Sequence, residues 1–250
     1  GSSFGSNRGS SSSMAGAPKL LDGVLEQGFE TPGLAEHLLA GGSIAYPTDT
    51  VWGLGCHAHD ASAVKDCLGK KGEGRQGIAS VVCADIDAIT KEFCSIPQEV
   101  ADKVTRLMEE MLPGPYTFVL PLKDDGLAHL AGEGPTLGVR IPKCEALLQF
   151  VRGQFGRRTL VTTSLNLHGD PPCKDFELAK VVAQKMQIPI IAEEPTESAS
   201  KAVKVDGAAT SASASTVLRW EVEAAKFRVL RQGSGSVEML ASQDLLIEQT

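Results

Sequence analysis

Apolar positions recur at two periods along this chain, and the switches between them mark out its elements. Thr31-Pro32 offers an N-cap followed by a first-turn proline, so the spacing predicts a helix over residues 31–40 that stops at Gly41-Gly42. Ser43-Ile44-Ala45-Tyr46 is a short buried-type run ended by Pro47 and reads as a strand. Asp60 is placed to cap a helix with Val64, Cys67 and Leu68 on one face, and residues 78–83 read as strand. The clearest helix begins at Pro97. Val100, Val104, Leu107, Met108 and Met111 fall at helical spacing, and Pro113-Gly114-Pro115 breaks the pattern. Strands are predicted over 116–122 and 137–141. A helix after Pro142 turns Leu147, Phe150 and Val151 inward. A strand over 159–163, a helix over 175–187 and a strand over 188–192 follow, with two last strands at 215–219 and 227–231.

Helices and strands interleave, yet several successive strands are joined by loops too short for a crossover helix. The fold class expected is α/β with α+β character: a twisted, open, mixed β-sheet with helices packed on it. One domain over residues 14–250 accounts for the pattern. The Ser/Gly/Asn-rich residues 1–13, ahead of Met14, read as a cloning remnant or disordered tail. The Ala/Ser/Lys-rich residues 196–214 read as a flexible insertion.

Composition narrows the function classes. At 250 residues and 42% hydrophobic, the chain can bury a core without disulfide or metal staples. No apolar run approaches the roughly 20 residues of a membrane helix, so no membrane partner is expected. A net charge of −7 argues against non-specific coating of nucleic acid, while leaving room for a local basic pocket. The six cysteines form no C-x-x-C pair and no zinc spacing, so reduced thiols and no metal site are expected. That usage suits the cytoplasm, or an organelle had a transit peptide been removed. A G-x-G-x-x-G string occurs at Gly72–Gly77, but it follows a helix pattern rather than a strand, and a G-x-S-x-G string occurs only in the tail, at Gly1–Gly5, so neither a dinucleotide fingerprint nor a nucleophile elbow is indicated; no P-loop occurs.

Five segments could carry chemistry, and each has a plain structural alternative. Pro47-Thr48-Asp49-Thr50-Val51-Trp52-Gly53-Leu54-Gly55 places hydroxyls, a carboxylate and an aromatic after a strand; it could bind a ligand or form a capped turn. Lys70-Lys71-Gly72-Glu73-Gly74-Arg75 could wrap a polyphosphate or be a solvated loop. Arg140, inside an apolar strand, must find an anion or an ion-pair partner. Thr162-Thr163-Ser164-Leu165-Asn166 offers short polar groups at a strand end, for a ligand or for a turn. Ser215-Thr216 and Arg231-Gln232-Gly233 are weak singly.

In this order the segments resemble the YrdC family of threonylcarbamoyl-AMP synthases, over residues 32–236. Residues 47–55 are similar to the family's P-T-[DE]-T-x-[YF]-G-[LV], and Pro113-Gly114-Pro115-Tyr116-Thr117 to its P-G-P-x-T. Val139-Arg140-Ile141-Pro142 is similar to V-R-x-P, and residues 163–169 to T-S-A-N-x-S-G. Ser215-Thr216-Val217 and Arg231-Gln232-Gly233 are similar to S-T-V and R-x-G.

The resemblance implies a YrdC/RibB-like fold, an open sheet around a deep basic cavity. It also implies an L-threonylcarbamoyladenylate synthase, a nucleotidyltransferase. Such an enzyme condenses L-threonine, bicarbonate and ATP to threonylcarbamoyl-AMP and pyrophosphate. A separate complex then carries the group to tRNA. Carried over by motif, Thr48, Trp52 and Arg140 face threonine. Lys71, Arg75, Thr162, Ser164, Asn166, Ser215 and Arg231 face the nucleotide. Mg²⁺ comes with ATP, and no residue is assigned as catalytic or as a metal ligand. Three departures stand out: Glu73 where the family has Arg, Leu165 where it has Ala, and Trp52 where it has Tyr or Phe. The first two resemble the YciO branch. They imply the alternative of a nucleotide- or double-stranded RNA-binding protein with weak or no synthase activity. Carbamoyl transfer to another acceptor is a third reading.

Overall fold

The structure is a computed structural model that describes residues 23–72, 79–132, 134–192 and 214–247. Ten strands make one sheet: β1 (Val24–Leu25), β2 (Ser43–Tyr46), β3 (Gly53–Cys56), β4 (Ser80–Val82), β5 (Tyr116–Pro121), β6 (Thr136–Arg140), β7 (Leu160–Ser164), β8 (Ile190–Ile191), β9 (Thr216–Glu221) and β10 (Lys226–Arg231). Their order is β1-β8-β2-β3-β7-β4-β6-β5-β9-β10. Parallel pairs (β1 with β8, β2 with β8, β4 with β6, β5 with β9) stand beside antiparallel ones, so the sheet is mixed as the loop lengths predict. Among the described residues six α-helices accompany it: α1 (Leu34–Leu39), α2 (Ala61–Gly69), α3 (Ala101–Met111), α4 (Glu145–Arg152), α5 (Phe176–Met186) and α6 (Glu238–Ser242).

Strand periodicity splits the central sheet into two unlike faces. Cross-strand register aligns Leu54, Val161, Val81, Val139 and Phe118 on one side, and each is fully buried. The other side aligns Gly53, Ser164, Thr162, Ser80, Gly138, Val119 and Thr117, with Arg140 two residues beyond Gly138. One face is thus hydrocarbon core. The other is small and hydroxylated, and there a ligand can approach the backbone.

Several elements differ from the sequence reading. Residues 53–56 form β3 rather than a turn. Gly-Leu-Gly-Cys has no alternation to read, and its glycines are required by Tyr46. A Cβ on Gly53 or Gly55 would come within 2.9 Å of the Tyr46 ring. Thr31 does not cap α1. Its hydroxyl donates to Gly28 O at 2.8 Å, closing a 3₁₀ turn (Gly28–Glu30), and Gly33 at φ +83° is the residue before α1. A wide helical turn over Ala88–Phe93 and the short α6 have no counterpart in the sequence reading. Residues 73–78 and residues 1–13 lie outside the described residues, as do residues 196–213 of the expected insertion.

The Asp60 cap is made as expected. Its carboxylate accepts from Ser62 and Ala63 N–H, each at 3.0 Å. Asp60→Ala is expected to cost about 1 kcal/mol of stability by removing both acceptors. A urea titration showing an unchanged midpoint would contradict that role.

Candidate active site

The hydroxylated face opens into a cavity of about 320 Å³. Thr50, Trp52, Ser80, Thr117, Arg140, Thr162, Ser164, Ser215 and Arg231 are among its lining residues. Residues from β4, β5, β6, β7 and β9 and from three loops therefore converge, although 181 positions separate Thr50 from Arg231 in sequence. Small side chains keep the floor open. A Cβ on Gly138 would sit 3.0 Å from that of Ser80.

Two guanidiniums dominate the electrostatics. Arg140, at the end of β6, is only 6% exposed. Its Nη2 donates to Asp49 Oδ1 at 3.0 Å and to Thr50 Oγ1 at 3.4 Å. Burial pulls its pKa below the usual arginine value, and the Asp49 charge opposes that pull. Arg231 ends β10 and grips the opposite wall. Its Nη2 donates to Ser215 O at 2.9 Å and Ser215 Oγ at 3.2 Å, and its Nε to Ser215 O at 3.2 Å. Burial lowers the Arg231 pKa, and repulsion from Arg140 lowers it further. Two cations close enough to repel across one cavity favour an anion between them.

Hydroxyls and backbone complete the walls. Ser215 Oγ lies 2.9 Å from Thr117 Oγ1. Thr216 fixes the loop after Arg231. Its hydroxyl accepts from Gly233 N–H at 2.9 Å and Gly235 N–H at 3.0 Å. At the other end Lys71, just after α2, is 4% exposed. Its ammonium donates to Ser164 O, to Ser164 Oγ at 3.3 Å and to Asn166 Oδ1 at 2.7 Å. Asn166 Nδ2 in turn donates to Leu167 O and Asp170 O, each at 2.9 Å. Trp52 is buried and packs on Phe176 with ring centroids 5.7 Å apart.

The sequence-predicted residues are placed unequally. Trp52, Arg140, Thr162, Ser164, Ser215 and Arg231 line this one cavity. Lys71 and Asn166 adjoin it through Ser164. Thr48 lines a neighbouring cavity of about 570 Å³ with Phe29, Lys143 and Gln149. Its hydroxyl is spent on Val51 O at 2.7 Å and on Thr50 Oγ1 at 3.1 Å. Arg75 and Glu73 lie outside the described residues. Residues not assigned from the sequence also reach the cavity: Thr50, Ser80 and Thr117. Ser80 and Thr117 were legible as lone hydroxyls in apolar strands. Among the described residues no group of three or more His, Cys, Asp or Glu could hold a metal, and Asp49 is engaged by Arg140. No described helix is long and apolar enough to cross a membrane.

Fold and site define a class: an open mixed-sheet protein with a buried arginine, a second arginine and strand-end hydroxyls around one cavity suited to a small anion. Comparison with known proteins makes the class specific. The Sua5/YciO/YrdC family model, described as "Telomere recombination", matches residues 36–233, and the chain belongs to this family. It is 35% identical over 141 residues to a threonylcarbamoyl-AMP synthase of Xanthomonas axonopodis pv. citri (strain 306), covering 55% of this chain and 71% of the relative. The solved structure of P. abyssi Sua5 complexed with L-threonine superposes with a TM-score of 0.65 at 24% identity, over 83% of this chain and 55% of that one. At that identity the likeness shows the fold, and this chain spans only about half of the Sua5 chain's length. E. coli YciO superposes with a TM-score of 0.64 at 25% identity, over 82% of this chain and 90% of that one.

Proposed function

We propose that this chain is an L-threonylcarbamoyladenylate synthase. In the reaction the neutral threonine amine attacks the carbon of bicarbonate-derived CO₂ and gives up a proton, which leaves with the hydroxide lost from bicarbonate as water, giving the N-carboxylate. That carboxylate oxygen then attacks the α-phosphorus of ATP, and the α–β bridging oxygen leaves with pyrophosphate. The observation that carries the reading is the convergence of Arg140 and Arg231 on one hydroxyl-lined cavity in a member of this family.

In this reading Arg140 takes the carboxylate of threonine and Trp52 forms the apolar wall beside it. Arg231, Ser215, Thr162 and the Ser164–Asn166–Lys71 cluster take the nucleotide. The P. abyssi relative named above was solved with L-threonine, which supports the choice of amino acid. Catalysis is positioning and charge neutralisation; no side chain has to form a covalent bond. Magnesium travels with the triphosphate, because the described residues provide no carboxylate cage, and no step is routed through it. In this reading the product passes to a separate transfer complex that serves tRNA, and the protein works in the same compartment as that complex, the cytoplasm or an organelle.

Pyrophosphate release from ATP is the direct test. Release is expected only when L-threonine and bicarbonate are both present. Threonine-independent release, or none from protein that still binds ATP, would overturn the reading. In the second case the YciO-like alternative would stand, and double-stranded RNA binding with a steep salt dependence would be its signature. Carbamoyl phosphate acting as donor would mark the third reading instead.

A further inference from the structure

Arg140 and Asp49 make only half of the contact open to them. An arginine and a carboxylate commonly close as a fork with two parallel bonds. Here Nη2 alone reaches Asp49, through Oδ1 at 3.0 Å. The Arg140 Nε and the Asp49 Oδ2 are both buried without a hydrogen-bond partner. The guanidinium is thus held at one corner, and its Nε edge stays unmatched in a side chain that lines the cavity.

The holder is itself rigid. Thr50 N–H donates to Thr48 Oγ1 at 3.2 Å, and Thr48 Oγ1 donates to Val51 O at 2.7 Å. With that proton committed, the 3.1 Å contact between the two threonine hydroxyls needs Thr50 as donor. Thr50 Oγ1 is then an acceptor for Arg140 Nη2 at 3.4 Å. A chain of bonds runs from the guanidinium through Thr50 and Thr48 to the backbone, each link polarising the next.

We infer that Asp49, seconded by Thr50, is a positioning residue that holds the Arg140 guanidinium at one corner and so orients it for the carboxylate of the amino-acid substrate. Thr48 serves the same turn and does not touch the substrate. This inference rests on the synthase reading for the identity of the ligand, but not for the geometry. Asp49 also answers the charge problem of the site. The groups that act on the Arg140 charge are the Tyr46 phenol, Asp49 and Arg231. Asp49 is the carboxylate among them, and Arg231 repels.

The test compares Asp49→Asn, Thr50→Val, Arg140→Gln and the Asp49→Asn/Arg140→Gln double variant in the full chain. The probe is L-threonine binding by calorimetry. Asp49→Asn is expected to weaken binding by about tenfold or more, and Thr50→Val by about threefold. In the Arg140→Gln background Asp49→Asn should add less than about twofold, because the two act as one unit. Unchanged affinity in Asp49→Asn, or an equal loss with and without Arg140, would overturn the inference. Thr50→Val keeps the charge pair, so it decides the matter should Asp49→Asn fail to fold. Should the wild-type chain bind no threonine, the synthase reading fails and the positioning is judged on the Arg140 Nε–H resonance. Its position and water exchange should change in Asp49→Asn; an unchanged resonance would overturn the inference.

Discussion

Arg140→Gln lowers kcat/KM for threonine-dependent pyrophosphate release by about 10²- to 10³-fold, the loss expected when a preorganised charge is removed from a buried anion site. Glutamine keeps most of the side-chain volume and one donor, so the loss reads the charge and the planar fork. The variant also strands Asp49, whose carboxylate has Arg140 as its ion-pair partner at 3.0 Å. Breaking one side of a buried pair costs about 3–5 kcal/mol of stability. Asp49→Asn/Arg140→Gln recovers much of that stability, since no charge is left buried, yet it stays inactive. Stability measured by urea unfolding and activity by pyrophosphate release therefore separate across the two variants. Activity within about fivefold of wild type in Arg140→Gln would show that Arg140 is only a structural ion pair, the alternative that the sequence leaves open.

The strand-borne half of this site was legible from the sequence. Arg140 stands out because an arginine inside Leu137-Gly138-Val139-Arg140-Ile141 has to meet an anion. The hydroxyls of Thr162 and Ser164 stand out at the end of an apolar run for a similar reason. Strand β3 was not legible: Gly53 and Gly55 leave no polar–apolar alternation, and their purpose, room for the Tyr46 ring, is tertiary. Thr48 shows a subtler limit. A threonine in a strand-end loop reads as a ligand contact, but its hydroxyl is consumed by Val51 O and Thr50. Nothing in the local sequence distinguishes a hydroxyl aimed at a ligand from one that closes its own turn. Ser80 and Thr117 reach the cavity through register. Ser80 faces Gly138 and Thr162, and Thr117 faces Val217, pairings between strands far apart in sequence.

Lys71 is where the structure changes the expected outcome most. Next to flexible glycines it reads as a cation reaching for phosphate, and its removal would then cripple binding and leave the fold intact. In the structure the residue is 4% exposed, and its ammonium is drawn inward and donates to Ser164 O, Ser164 Oγ and Asn166 Oδ1. The Lys71 carbonyl also accepts from His168 N–H at 2.7 Å, tying the end of α2 to the loop after β7. Lys71→Met keeps the aliphatic stem and removes the donors. Each buried acceptor so abandoned costs about 1–3 kcal/mol, so a loss of about 3 kcal/mol is expected. Asn166 and Ser164 lose the group that orients them toward the nucleotide side, and ATP affinity falls by about tenfold or more. The two effects separate on nucleotide titration. Where Lys71 acts by orienting Ser164, a Ser164→Ala change in the Lys71→Met background adds less than it does alone. Where Lys71 swings out to a phosphate, the two losses add in full and stability barely moves. A Lys71→Met chain with wild-type unfolding midpoint and weakened ATP binding would therefore favour the reaching lysine, and a destabilised chain with coupled losses the inward one.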